Sequence, residues 1–419
     1  MENRTYICID LKSFYASVEA VERGLNPFKT NLVVADATRG RGAICLAITP
    51  AMKNLGVKNR CRLFEIPDRI EYIIAKPRMK YYMDYSAHIY SVYLKYISKE
   101  DIYVYSIDEC FFDVTTYLDL YNKTPRELAK MLMDAVYLET GIASSAGIGT
   151  NLFLAKVALD VMAKQSKDRI GFLDRESFEK TVWHHRPITD IWNIGRGIAK
   201  RLEKHGIYDL YGVAHADEKK LYKEFGVNAE FLIDHSKGIE PCTIDEIKSY
   251  TPETTSMTNS QILFENYDFD SALLALKEMI DLIVLEMVDR GLMTNSISLA
   301  VGYSGREDKG SGGTRKLDNF TDSTTKLTEE FVRLFKEKTD RTKLIRRLTV
   351  GLNNLSKSEY VNLDFFTDYK AEEKERKKQQ AIIDIKKKYG KNAVLKGMNL
   401  EKKATTPIRN RHIGGHNGE

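Results

Sequence analysis

The first residues alternate between apolar and polar positions. Asp10 falls on the same face as Tyr6 and Cys8, and aliphatic residues fill the intervening positions, a period that predicts a β-strand. From Phe14 the apolar positions recur at helical spacing, with Ser13 as the predicted N-cap. A junction of this kind, with an acid where the strand ends and the helix begins, is a common location for catalytic chemistry.

The following segments predict a mixed α/β unit built on a sheet. Residues 79–98 have the pattern of an aromatic-rich amphipathic helix. Residues 101–115 (DIYVYSIDECFFDVT) predict two strands that meet at an acidic turn, because β-branched and aromatic residues fill both sides of it. A helix over 125–138, a strand of small residues over 143–149 and a helix over 151–163 follow.

The second half of the chain changes pattern twice. Short helices separated by glycines are predicted over 175–242. A β-α-β-β-α-β order follows, with strands near 255–266, 295–304, 314–320 and 345–353 and helices near 270–290 and 325–338. Beyond 357 the chain is polar, and its lysine-rich part, 370–403, predicts a solvated helix or a disordered linker.

Composition places the chain among ordinary globular proteins. It has 419 residues, enough for two to four domains, and is 43% hydrophobic and 29% charged. No apolar run reaches membrane-spanning length, and the first residues predict no secretory signal. Five dispersed cysteines without a Cys-x-x-Cys pair argue against a zinc site or a disulfide framework, so we expect the reducing cytoplasm. The net charge of +5 is concentrated beyond 360, so DNA affinity elsewhere depends on local basic patches.

Three acids form the strongest candidate site. Asp108 and Glu109 lie at the predicted hairpin turn, and Asp10 ends a neighbouring strand. Carboxylates brought that close repel one another, so their convergence implies a divalent cation of the Mg²⁺ type. Paired ions about 4 Å apart suit phosphoryl transfer. The alternative, that each acid is a solvated strand-end charge, is equally compatible with the spacing alone.

Three segments then resemble the signature segments of Y-family translesion DNA polymerases. They are IDLKSFYASVE (9–19), YSIDECFFDVT (105–115) and AGIGTNLFLAKVALDVMAK (146–164). The resemblance is nearest to the bacterial UmuC-like branch and covers about residues 1–360. It implies an α/β right-hand polymerase with a palm at 1–24 and 76–172, fingers at 25–75, a helical thumb at 173–242, a β-α-β-β-α-β little finger at 243–358 and a basic tail at 359–419.

The resemblance also implies roles for individual residues. Asp10, Asp108 and Glu109 become the catalytic carboxylates that hold two Mg²⁺ ions, with the Leu11 carbonyl as a further metal ligand. It implies that four residues contact the nucleotide: Phe14, Tyr15, Lys53 and Lys164. Among them, Tyr15 is the steric gate that excludes a ribose 2′-hydroxyl, and Lys164 reaches the triphosphate. Two positions depart from the pattern, since Pro50 and Lys53 stand where relatives often have Tyr and Arg.

DNA contacts are expected in the thumb and the little finger. The thumb segment around Gly195, Arg196 and Gly197 resembles a helix-hairpin-helix that grips a phosphate, with a plain helical cap as the alternative. Four cations lie within seven residues at the last strand: Arg341, Lys343, Arg346 and Arg347. We expect them to contact the template backbone. The alternative is that they only protect a strand edge against aggregation.

A tail peptide and the general reading complete the expectations. Asn362, Leu363, Phe365 and Phe366 resemble the peptide by which bacterial polymerases dock on the sliding clamp, although Asn362 is shorter than the usual Gln. We therefore expect an error-prone polymerase without proofreading, monomeric, cytoplasmic, acting in the SOS response to DNA damage, with primer-template DNA, dNTP and the clamp as partners and no membrane. The alternatives are a non-catalytic scaffold of the same fold and a cyclase-like nucleotidyltransferase.

Overall fold

The computed structural model describes residues 4–164, 166–305, 307–357 and 369–418. It divides the chain into a first unit, up to Thr251 together with the last four residues, and a second unit, Pro252–Gly415. The strands of the first unit are β1 (Tyr6–Leu11), β2 (Leu32–Val34), β3 (Ala47–Ile48), β4 (Ile73–Ala75), β5 (Ile102–Val104), β6 (Glu109–Asp113), β7 (Ser144–Gly149), β8 (Ile170–Leu173) and β15 (His416–Asn417).

Helices surround these strands. They are α1 (Phe14–Val21), α2 (Pro50–Asn54), α3 (Met79–Tyr93), α4 (Tyr117–Tyr121), α5 (Pro125–Thr140), α6 (Leu152–Val157), α7 (Arg175–Thr181), α8 (Arg196–Glu203), α9 (Leu210–Ala214), α10 (Glu218–Phe225), α11 (Ala229–Ser236) and α12 (Ile244–Ser249). The sequence marks their ends well. Thr124 and Glu127 form a capping box at the start of α5, Pro125 occupies its first position, and Gly141 ends it with a φ of 69°.

A five-stranded sheet organises the first unit, in the order β5-β6-β1-β7-β8. Strand β1 lies in its middle and pairs antiparallel with both β6 and β7. The aliphatic face of β1 packs into a core with α1, α3 and α5, and the other face, with Tyr6 and Cys8, packs against α6. Successive residues of 6–11 therefore point to opposite faces of the sheet, and both faces are covered by helices, as the period of two in a strand requires.

Helix α6 lies unusually close to this sheet. A Cβ atom on Gly147 would lie 2.1 Å from the Ala155 carbonyl oxygen, and one on Gly149 would lie 2.2 Å from the Ala155 nitrogen. The helix continues as a π-helical segment, Ala158–Met162, where the predicted helix was regular. A single π-helical turn of this kind often adjoins a functional site.

Two smaller bodies complete the first unit. Strands β3, β2 and β4 form a separate sheet with its own apolar core, within residues 25–75. Helices α7 to α11 pack around another core, as the glycine-punctuated sequence predicts. At the end of the chain, the Gly418 carbonyl accepts a hydrogen bond of 2.9 Å from the Lys80 amide at the start of α3.

The second unit confirms the β-α-β-β-α-β order. Its strands are β9 (Ser256–Tyr267), β10 (Leu292–Tyr303), β11 (Ser311–Thr321), β12 (Ile345–Asn353), β13 (Ser356–Lys357) and β14 (His412–Ile413), and its helices are α13 (Phe269–Asp289), α14 (Thr324–Lys338), α15 (Tyr369–Tyr389) and α16 (Thr406–Arg409). The sheet order is β11-β10-β12-β9, with α13 and α14 packed on one face. Within the described ranges, no helix has the length and apolar character needed to cross a membrane.

The other face of this sheet carries short side chains. In one row across the strands, Ser260, Thr349, Ala300 and Gly312 are register partners, and the next row is Thr258, Gly351, Ser298 and Thr314. Apolar neighbours such as Leu348 and Val350 point to the helices instead. These two rows of the exposed face therefore carry hydroxyl groups, methyl groups and glycines, and a further row adds Arg347 and Ile262.

The segment beyond 368 corrects a prediction. The predicted helix is present as α15, but residues 370–403 are neither fully solvated nor a disordered linker, because one side of α15 packs on the second unit and buries Gln379 and Ile383. Glu278 of α13, which is 1% exposed, anchors the following residues. Its carboxylate accepts hydrogen bonds from the Asn399 amide group, the Thr405 amide and hydroxyl, and the Thr406 amide at 2.6–3.2 Å. Hydrogen bonds thus satisfy this buried carboxylate, and the charge of the partly buried Arg409 acts on it as well.

Candidate active site

The structure brings the three predicted acids to one end of the central sheet. Asp10 near the end of β1 is the register partner of Glu109 at the start of β6, so both side chains leave the same face. Asp108 precedes Glu109 in the turn, and the Asp108 carbonyl accepts a hydrogen bond of 2.9 Å from the Leu11 amide. The Ser106 hydroxyl donates to the Asp108 carboxylate at 2.7 Å. The convergence inferred from the motifs is therefore present in the backbone.

The electrostatics of this end suit a cation. Burial raises the pKa of Asp10 to about 7, and the negative charges of Asp108 and Glu109 add to the effect. Oxygen ligands of this kind fit a hard divalent ion. Among the described residues, no three His, Cys, Asp or Glu side chains already stand as a closed metal-binding group.

Lys156 is paired with one of the three acids. Its ammonium lies 2.7 Å from the Glu109 carboxylate and 3.0 Å from that of Asp160, and the Lys156 and Glu109 side chains are each 10% exposed. The Cys8 thiol donates to the same Glu109 oxygen at 3.0 Å. Burial alone would lower the pKa of Lys156, but the negative charges of Asp160 and Glu109 have the larger effect and raise this pKa above its ordinary value. Sequence reasoning missed this residue, although it lies within the third motif.

Several cationic side chains also lie close to Asp10 and to one another. Burial lowers the pKa of Lys12, and the neighbouring Arg169, Lys53 and Lys164 lower it further while Asp10 acts in the opposite sense. The pKa of Lys53 is also lowered by burial, with Asp10 opposing the change. Lys53 thus lies near Asp10, and Lys164 lies near Lys53 and Lys12. Lys12 and Arg169 were missed, although Lys12 directly follows the strand that carries Asp10.

Tyr15 borders the same site. Burial raises the pKa of its phenol and the charge of Asp108 raises it further, so the hydroxyl is near the acids. Phe14 is buried beneath it at 2% exposure. Ser13 occupies the predicted N-cap position of α1, but it has a φ of 50° and its side chain makes no capping hydrogen bond. A left-handed conformation costs energy for a serine, which makes the junction a strained one.

The predicted fingers loop gains a structural explanation. Pro50 is the first residue of α2, where a fixed φ is favourable and no backbone amide is required. Lys53 follows in the last turn of the same short helix. The departure at Pro50 thus starts the helix that carries Lys53.

The thumb segment has room for a ligand at a helix start. Gly195 is the N-cap of α8, and Arg196 is its first residue. A Cβ atom on Gly195 or Gly197 would meet nothing within 4 Å. A short 3₁₀ turn, Ile188–Asp190, precedes the hairpin in place of a full α-helix. An open helix N-terminus of this kind is suited to a phosphate.

The basic run in the second unit is less regular than the sequence indicates. Strand β12 begins at Ile345, so Arg341 and Lys343 precede it. Arg341 lies over the Phe269 ring, and Lys343 is paired with Asp308. The predicted strand bounds of 345–353 are confirmed, so Arg341 and Lys343 stand just before the strand with partners of their own while Arg346 and Arg347 lie on it. Their role in DNA binding stays a prediction. The clamp-like peptide, Asn362, Leu363, Phe365 and Phe366, lies outside the described residues.

Known proteins resemble the chain over nearly its whole length. The impB/mucB/samB family model matches residues 9–160, and the model of that family's C-terminal domain matches 254–365. A protein of Bacillus subtilis (strain 168) named for UV-damage repair, UvrX, is 31% identical, with 99% of this chain and 97% of UvrX covered. DNA polymerase IV 2 of the same organism is 30% identical, with 99% of each chain covered.

A solved structure has the same fold. The Y-family DNA polymerase chimera Dbh-Dpo4(243-245)-Dbh matches with a TM-score of 0.63 at 22% identity, over 84% of this chain and 99% of the chimera. The fold and the acidic site therefore define a Y-family DNA polymerase. The chain belongs to the impB/mucB/samB family. The resemblance drawn from the three motifs is confirmed, and its placement near the UmuC-like branch stays a prediction.

Proposed function

We propose that this polymerase copies template strands past damaged bases, adding nucleotides from dNTPs to a primer 3′-hydroxyl without proofreading. One observation carries the proposal. Three convergent carboxylates face a group of lysines and an arginine at one end of the central sheet. Groups of opposite charge placed side by side in this way would hold two charged components: the acids would hold metal ions, and the lysines and arginine would hold a nucleotide triphosphate.

The acids are assigned to the metal and the cations to the triphosphate. Membership of the family implies dependence on a divalent metal, and we assign two Mg²⁺ ions to Asp10, Asp108, Glu109 and the Leu11 carbonyl. When bound, these ions lower the barrier to in-line attack by the primer hydroxyl on the α-phosphate and stabilise the departing pyrophosphate. Lys53 and Lys164 are assigned to the triphosphate because they supply mobile point charges beside the acids.

Tyr15 is proposed to select the sugar. Its phenol lies beside Asp108, so the ring borders the position where a nucleotide bound to the acids carries its sugar. An aromatic plane against C2′ leaves no room for a hydroxyl group, which disfavours ribonucleotides. Phe14 supports this position from the core.

DNA and partner contacts are assigned to other parts of the chain. The open start of α8 at Gly195, Arg196 and Gly197 is proposed to hold a backbone phosphate. The exposed sheet face of the second unit, with Arg346 and Arg347 on β12, is proposed to follow the duplex. From sequence alone, we propose that residues 362–366 bind a sliding clamp and that a monomer acts in the cytoplasm. The predicted palm, fingers, thumb and little finger boundaries are kept as part of this proposal.

Primer extension by the Asp108→Ala variant tests the function. We expect extension with Mg²⁺ to fall to background on undamaged and abasic templates, because the variant lacks a metal carboxylate, while primer-template binding stays within about twofold. Asp134→Ala, which removes an exposed acid of α5, is the matched control and should extend normally. Normal extension by Asp108→Ala would remove the metal-site assignment. DNA binding without any extension by the unaltered chain would favour the scaffold alternative.

A further inference from the structure

A second tyrosine lies directly against the proposed sugar gate. The rings of Tyr15 and Tyr82 are stacked, with centroids 4.6 Å apart and planes inclined by 20°. Tyr15 belongs to α1 and Tyr82 to α3, so the stack joins two helices. Tyr82 is fully buried. The gate ring therefore has one face covered by a side chain that is itself enclosed by the core.

A buried ionic group fixes the position of Tyr82. Its hydroxyl donates to the Glu19 carboxylate at 2.8 Å. Arg78, which precedes α3, donates two further hydrogen bonds to that carboxylate at 2.9 and 3.1 Å, and Arg23 pairs with it as well. Burial acts to raise the pKa of Glu19, but the hydrogen bonds from Arg78, Arg23 and Tyr82 hold the pKa below its ordinary value. The acceptor thus stays charged at neutral pH.

The spacing of the residues on α1 connects this group to the gate. Tyr15 and Glu19 are four residues apart, so they lie on one face of the helix and both meet Tyr82. A partly buried ring at the first turn of a helix keeps some freedom about its side-chain torsions, which a stacked, buried neighbour restricts. Glu19, through Tyr82, thereby limits how far the Tyr15 ring can retreat from the site.

We propose that Tyr82 is a positioning residue for sugar selection, which holds the Tyr15 ring at the depth where a ribose 2′-hydroxyl is excluded. The proposal rests on the gate role of Tyr15 stated above. It adds that ribonucleotide exclusion depends on a residue that does not itself touch the sugar. A displacement of about 1 Å in such a contact is enough to change a rate by one to two orders of magnitude.

Single-nucleotide insertion with matched dNTP and rNTP tests this inference. Tyr82→Leu removes the stack, and we expect the ratio of kcat/KM for dNTP over rNTP to fall on the order of tenfold, mainly through faster rNTP insertion. Tyr82→Phe keeps the ring and loses only the hydroxyl, so most of the selectivity should be restored. Tyr93→Leu is the matched control, since Tyr93 is a buried tyrosine of the same helix that packs edge-on against Phe112.

The outcomes separate this inference from the proposed function. If Tyr15→Ala leaves the selectivity unchanged, the gate assignment itself is wrong. If Tyr15→Ala lowers selectivity but Tyr82→Leu does not, only the role of Tyr82 is overturned. A fall of equal size in Tyr93→Leu would also overturn it, because general loosening of α3 would then be the cause. Should Tyr82→Leu fail to fold, Tyr82→Met, which retains volume without a ring, takes its place, and unchanged selectivity in that variant would have the same meaning.

Discussion

A single buried lysine carries much of the electrostatic balance of the active site. Lys156 is paired with Glu109 and Asp160, and its removal leaves the Glu109 carboxylate buried and uncompensated. For Lys156→Met we expect the free energy of unfolding to fall by about 3 kcal/mol without metal, because a broken buried pair costs more than the pair contributes. Added Mg²⁺ should recover part of the loss, since a cation can then neutralise the acids. Chemical denaturation with EDTA and with Mg²⁺ measures both effects.

An exposed pair of the same type provides the control for Lys156. Lys130 and Asp134 are four residues apart on α5 and both side chains are more than half exposed. Lys130→Met should cost less than about 1 kcal/mol and should show no difference between EDTA and Mg²⁺. Equal losses in the two lysine variants, with no metal dependence, would mean that Lys156 only fills space.

Individual residues differ in how far the sequence reveals them. The sequence identifies Asp10, Asp108 and Glu109 because the segments that contain them resemble signature segments of Y-family polymerases. Lys156 is hidden by its neighbours, since a lysine inside an apolar helix resembles an exposed residue of an amphipathic one. Its role depends on which helix face meets the sheet, and that depends on the close approach permitted by Gly147.

The contact between α6 and the sheet requires glycine in β7. A Cβ atom on Gly147 would overlap backbone atoms of Ala155 and Leu159 at 2.1–2.7 Å. Neither atom belongs to a flexible side chain, so the helix would have to move. We expect Gly147→Ala to lower the free energy of unfolding by at least about 3 kcal/mol, as severe overpacking does. Gly42→Ala, where a Cβ atom meets nothing within 4 Å, should change it by less than about 1 kcal/mol, as thermal denaturation can show.

The bounds of elements with strong periodicity agree with the prediction to within three residues, whereas irregular elements were not predicted. The β-α-β-β-α-β segment follows from alternation and helical spacing, and its strands and helices agree with the prediction. The π-helical segment Ala158–Met162 has no local sequence signal, because its extra residue per turn is decided by packing. Normal stability in Gly147→Ala would show that this packing tolerates more displacement than the distances indicate.

At the scale of the whole molecule, the second unit extends well beyond the family match. The matched C-terminal domain ends at 365, whereas the second unit continues to Gly415. We expect Glu278→Ala to release residues 397–410, because it removes the acceptor for the Asn399, Thr405 and Thr406 donors. The free energy of unfolding should fall by about 2 kcal/mol. Hydrogen–deuterium exchange should show fast exchange at the Thr405 and Thr406 amides.

The control for this anchor lies on the same helix. Glu286 of α13 is exposed and paired with Arg290, so Glu286→Ala should leave exchange at Thr405 and Thr406 unchanged. Protection that survives in Glu278→Ala would mean that other contacts, such as those of Arg409 with Gln261 and Asn259, hold the segment. The sequence could not reveal this packing, because a run of lysines predicts a solvated surface and the anchoring acid is more than a hundred residues away.

The exposed sheet face of the second unit has a consequence for the choice of template. In the two rows of hydroxyl groups, methyl groups and glycines, no side chain is long enough to extend into a groove and compare one base edge with another. A duplex lying on those rows would be gripped alike whatever its base composition. Newly made DNA that contains a mispair would pass over such a surface without being recognised as faulty. Any preference in what this polymerase inserts must then originate where the nucleotide is bound, and a mistake made there would leave with the product.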